Sequence, residues 1–121
     1  MEYIIQVCAD YVEAVASGEV DLLDGKACLD EILQLCHQHH LSKVLVNGLQ
    51  LSDRVSVSSR FGLGEYLAAA AAPGVRVAIL TTTQLLRQSK ALENTANNRG
   101  AQVITTDSMD EALAFLGSKS T

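Results

Sequence analysis

Between Val75 and Leu116 the chain alternates short aliphatic runs with helical patterns. Val75–Leu80 is a run of strand-forming residues, followed by Thr81-Thr82-Thr83, whose hydroxyls suit the cap of a third helix. Leu85, Ser89, Leu92 and Ala96 then recur at helical spacing on one face, and Gly100 suits the left-handed stop after a helix. Gln102–Thr105 reads as the last strand. Asp107 is the expected cap of a last helix, with Met109, Ala112, Leu113 and Leu116 turned inward. Aliphatic strands separated by helices of this length predict a parallel sheet with crossover connections.

The first half is read in the same way. Tyr3–Cys8 and Tyr11–Ala16 have strand composition, and the short Ala9-Asp10 link predicts an antiparallel hairpin, because a parallel return needs a long crossover. Asp21 precedes a helix with Leu22, Leu29, Ile32, Leu33 and Cys36 on one face, ending near His40. Val44–Val46 is a short buried strand that Asn47 and Gly48 are expected to end. A second helix is expected to start between Ser52 and Ser56 and to run to Ala72, before Pro73-Gly74. Leu63, Tyr66, Leu67 and Ala70 form its expected inner face, with Gly62 and Gly64 allowing close packing. The resulting order, β-β-α-β-α-β-α-β-α, predicts an α/β fold. It has a mixed, mostly parallel sheet of about five strands, the first antiparallel, with helices on both faces. Residues 1–117 are expected to form a single domain and residues 118–121 a frayed tail.

Composition narrows the function classes. A net charge of -5 with no basic stripe argues against nucleic acid and anionic membrane as partners. No apolar run approaches the roughly 20 residues of a membrane span, and the N-terminus has no signal-peptide pattern. Three cysteines, Cys8, Cys28 and Cys36, without CxxC spacing suit a reducing cytoplasm. No paired carboxylates, nucleophile elbow or triad stand out, so no catalytic residue and no cofactor is expected.

Three groups carry candidate chemistry. Cys36-His37-Gln38-His39-His40 places ligand-type residues three and four apart, but as one isolated cluster it supplies too few metal ligands; it reads as a helix C-terminus facing the dipole. Gly62-Leu63-Gly64 lacks the strand context and third glycine of a dinucleotide loop and reads as packing. Thr81, Thr82 and Thr105 follow parallel strands, as Asn47 and Ser52 follow the central one, where open α/β sheets bind ligands; each also suits simple helix capping.

Several stretches together resemble one family: Ser17–Val20, Ser59-Arg60-Phe61-Gly62-Leu63-Gly64-Glu65-Tyr66-Leu67, Val75–Ile79, Ala96–Gly100 and Asp110–Leu116. They are similar to the bacterial SpoIIAA-like group within the STAS and SEC14-like superfamily, a group mostly without assigned function. The resemblance covers nearly the whole chain. It implies a mixed sheet with an antiparallel first strand. The STAS regulators of similar architecture antagonise anti-sigma factors and are switched by phosphorylation of a serine in a D-S-[ST]-G-like motif opening the second helix. Here Ser56 is the closest positional match, with Val55 in the aspartate position and no matching glycine.

The expected function is therefore a non-enzymatic regulatory or protein-interaction module. Its working surface would be the second helix and the loop before it, with Asn47, Ser52, Ser56, Ser58, Phe61 and Tyr66 as interaction or switch residues. The partner is a protein or a second copy of the chain. The alternative is a small apolar-ligand or lipid-binding protein of the SEC14-like kind, with a pocket under the second helix and Thr81, Thr82 and Thr105 at its rim.

Overall fold

The computed structural model describes residues 1–52 and 57–117, with only the backbone described at 57 and 58. Five strands and four helices follow in the order β1 (Glu2–Val7), β2 (Val12–Gly18), α1 (Leu22–His39), β3 (Lys43–Leu51), α2 (Val57–Ala70), β4 (Arg76–Leu80), α3 (Thr83–Asn98), β5 (Gln102–Thr106) and α4 (Met109–Leu116). The strands lie in one sheet in sequence order. β1 pairs antiparallel with β2, and every later neighbour is parallel. Val12, Val44, Val77 and Val103 stand opposite one another across four strands and form the spine of the main core.

Strand order dictates the helical layers. Each crossover steps the same way across the sheet, so right-handed connections bring α1, α2 and α3 to one face. Cys28, Ile32 and Cys36 of α1, Leu67 of α2 and Ala96 of α3 accordingly share the spine's core. On the other face α4 buries Ala112, Leu113 and Leu116 against Tyr11, Leu45 and Ala78. Helices cover both faces as the pattern predicts, but three to one.

The ends of several elements depart from the sequence reading. Asn47 and Gly48 do not end β3. The strand continues because β2 runs on to Gly18 past an irregularity after Val15 and supplies partners for Gln50 and Leu51. Gly48 eases packing within the strand, since a Cβ there would crowd the Leu80 carbonyl oxygen of β4 at 3.1 Å. Asp107 does not cap α4; Ser108 does, accepting from the Glu111 amide at 3.2 Å, while Asp107 accepts from the Thr83 hydroxyl at 2.9 Å. Met109, the first residue of the helix, shares the face of Ala112, Leu113 and Leu116 but lies at its open end and is exposed rather than buried. Ala70 is likewise exposed, because α2 ends there and not at Ala72.

The two edges of the sheet differ. Beyond β5, side chains of α3 occupy the positions a further strand would take. Asn97 donates to the Val103 carbonyl at 2.9 Å and accepts from the Val103 N–H at 2.8 Å. Glu93 accepts from the Thr105 N–H at 2.6 Å, and Lys90 donates to the Thr105 carbonyl at 2.7 Å. Lys90 and Glu93 are themselves paired at 3.1 Å. The outward backbone groups of both residues are thus satisfied without a neighbouring strand, which blunts this edge against pairing. Nothing comparable lies beyond β1 among the described residues.

Two expectations follow. Asn97→Ala removes both partners of Val103 and should lower stability by about 1–2 kcal/mol, read as a denaturant midpoint shift at unchanged m-value. Gly64→Ala improves helix propensity by about 1 kcal/mol, yet its Cβ would stand 2.8 Å from the Leu92 carbonyl oxygen of α3. A backbone atom cannot rotate aside, so the overpacking cost of about 1–3 kcal/mol prevails and thermal unfolding should show net destabilisation.

Candidate functional site: the α2 surface and the cavity beneath it

α2 is wedged between α1 and α3, and its two glycines allow the close approach. A Cβ at Gly62 would meet Leu22 of α1 at 2.9 Å, and one at Gly64 would meet the α3 backbone. Leu63 and Leu67 are buried beneath the helix. Tyr66 sits at the α1 seam, donating its hydroxyl to Asp30, with the Lys26 ammonium 5.2 Å from its ring centroid. The Asp30 bond, with burial and the charge of Asp30 adding to it, raises the phenol above its ordinary range. Toward α3, Arg60 donates to Gln88 at 2.6 Å and Glu65 pairs with Arg99 at 3.3 Å. On the outside Phe61, Glu65 and Ala69 are exposed at four-residue spacing, and Phe61 is 46% exposed. A half-exposed phenylalanine on a helix clamped at both flanks is a rigid apolar contact point.

Beneath α2, between the helical layer and the sheet, lies a cavity of about 130 Å³. Cys28 and Ile32 of α1, Val46 of β3, Leu63 and Leu67 of α2 and Leu92 of α3 give it an aliphatic wall. Its polar lining residues are Ser52, Arg60, Thr81, Ser89 and Thr105. Gly25 lets the Leu63 side chain lie close against α1: a Cβ there would meet it at 2.6 Å. Burial, with Glu31 adding to it, pushes the Cys28 thiol up to about 11, which leaves it a small apolar wall group at neutral pH.

The structure separates the residues singled out in the sequence. Thr81 and Thr105 are buried and line the cavity, and Ser52 joins them at the end of β3. Thr82 is set apart: it caps α3, accepting from the Leu85 amide at 3.3 Å. Asn47 lies inside β3, not in a loop before α2, and its side chain accepts from the Leu49 amide at 3.2 Å. Phe61 and Tyr66 lie on α2 but serve different ends, Phe61 facing out and Tyr66 locking the seam. Ser56 lies outside the described residues, as does the side chain of Ser58. His37 and His39 occupy the last turn of α1, and His40 caps it in the left-handed conformation at φ 54°. No group of three metal-ligating side chains occurs among the described residues. Arg60 was missed as a site residue, although its spacing of three and then four to Leu63 and Leu67 places it on the inner face.

No family model matches the chain, and no curated protein does. Solved structures do match. An anti-sigma factor antagonist, SpoIIAA in its unphosphorylated form, superposes with a TM-score of 0.58 at 17% identity, over 99% of this chain and 100% of that one. An anti-sigma factor antagonist from Mycobacterium paratuberculosis gives 0.63 at 14% identity, covering 97% and 94%. A DUF3478 protein from Shewanella loihica with a SpoIIAA-like fold gives 0.57 at 18% identity, covering 95% and 92%. The mixed five-stranded sheet with its antiparallel first strand is therefore a SpoIIAA-like fold of the STAS type, as the sequence resemblance implies.

Proposed function

We propose that the chain is a non-enzymatic regulatory module that binds a protein partner through the outer face of α2. The observation that carries this reading is whole-chain structural similarity to two anti-sigma factor antagonists. Phe61 supports α2 as the contact surface, because it is a large apolar side chain held half-exposed on a helix whose inner face is committed to packing. Its three free cysteines suit a reducing cytoplasm. Residues 1–117 act as one domain in this reading. Ser56 is its candidate switch: phosphate beside the start of α2 would add negative charge near a helix N-terminus.

In a crosslinked pull-down, Phe61→Asp should lose a specific partner that wild-type protein retains, with affinity reduced about tenfold or more. Ser56→Asp should change the amount captured in the same assay. A partner retained equally by wild type and Phe61→Asp would remove α2 from the interface.

The cavity favours a second reading, a receptor for a small apolar ligand under α2. Its volume is close to that of aliphatic cavities that admit one benzene-sized molecule. Arg60, Ser52 and Thr81 would give an anionic or hydroxyl end group something to meet. Benzene or hexanoate in excess should raise Tm, since binding only to the folded state stabilises by RT ln(1 + [L]/Kd). Cys28→Leu, which fills the wall, should abolish that rise. No shift in wild type, or an unchanged shift in Cys28→Leu, would reject the site.

A further inference from the structure

We propose that β1 is a self-complementary edge through which two copies of this chain join their sheets. Three observations lead there. The opposite edge is closed, because Lys90, Glu93 and Asn97 already bond the outward groups of Val103 and Thr105. An additional strand can therefore be added only at β1.

The second observation is which way the β1 backbone points. The Cys8 N–H donates to the Tyr11 carbonyl at 2.8 Å, so Cys8 bonds inward to the β2 side. Alternation along an antiparallel ladder then turns Gln6, Ile4 and Glu2 inward, and Val7, Ile5 and Tyr3 outward. Among the described residues no strand lies beside the outward N–H and C=O groups of Tyr3 and Ile5.

The third is the side-chain pattern. Tyr3 and Ile5 pack against the main core beneath the helical layer. Ile4 points to the opposite face, which α4 leaves uncovered at this edge, and is 74% exposed. When a second β1 runs antiparallel with Ile4 facing Ile4 of the partner copy, Tyr3 stands opposite Ile5 and Glu2 opposite Gln6. Tyr3 and Ile5 then exchange backbone bonds across the seam, extending the core side. The two Ile4 side chains meet in a non-hydrogen-bonded pair, where cross-strand side chains approach most closely. Like charges are not opposed, and apolar residues meet apolar ones on both faces. Shifting the register by two residues sets Ile4 against Gln6 and loses this match. The occupant this edge fits is therefore a second copy, in a C2 arrangement with a continuous ten-stranded sheet.

Sedimentation equilibrium should show a dimer at high micromolar concentration, its dissociation constant raised at least about tenfold by Ile4→Lys. Because Ile4 is exposed, circular dichroism and Tm of that variant should match wild type in dilute protein, where both are monomeric. Ile4→Cys in a Cys8→Ser background should oxidise to a disulfide-linked dimer, whereas Leu23→Cys, equally exposed on α1, should not. A protein that stays monomeric, a dimer indifferent to Ile4→Lys, or crosslinking no better at Ile4 than at Leu23 would overturn the proposal.

Discussion

The structure depends on one topological constraint: every parallel connection steps in the same direction across the sheet. Right-handed crossovers then have only one face on which to place their helices. Three helices must share the width of the sheet there, and α2, in the middle, is squeezed from both sides. Gly62 and Gly64 are the consequence, since a side chain at either position would strike Leu22 or the α3 backbone. Phe61 faces outward from that crowded helix and stays half-exposed.

The same constraint leaves the other face thinly covered. α4 packs over β3, β4 and β5, and the outer side of β1 is left with Ile4 exposed. It also leaves two edges with opposite treatment. At β5, α3 lies close enough for a polar stripe on its inner side to satisfy the strand. At β1, among the described residues, no helix side chain bonds the outward backbone groups of Tyr3 and Ile5. The cavity under α2 lies in the same layer, lined by Gly25 and Cys28 of α1 and by Leu63 and Leu67 of α2.

Much of this was legible in the residues. The aliphatic runs at Val44–Val46, Val75–Leu80 and Gln102–Thr105 read as strands from their short length and β-branched content, and they do lie side by side. The antiparallel hairpin followed from the length of its link alone. The reading failed where a neighbour decides the outcome. Gly48 looked like a terminator, but whether a strand continues depends on its partner, and β2 reaches as far as Gly18. Asp107 and Ser108 are both good caps; the bond between Thr83 and Asp107 claimed one and left the other for α4. Thr81, Thr82 and Thr105 were equivalent as a pattern, yet only Thr81 and Thr105 face the cavity. Lys90, Glu93 and Asn97 were readable as a stripe at spacing three and four, but a polar stripe ordinarily means a solvated face. Only the placement of β5 beside it shows its use.

Amide hydrogen exchange in dilute protein, below any self-association, tests the asymmetry of the two edges most directly. Val103 and Thr105, though on an edge strand, should exchange slowly, near the rates of β3 and β4, while Tyr3 and Ile5 of β1 exchange orders of magnitude faster. Equal and fast exchange at both edges would contradict the account, because the α3 side chains would then not be holding β5 closed.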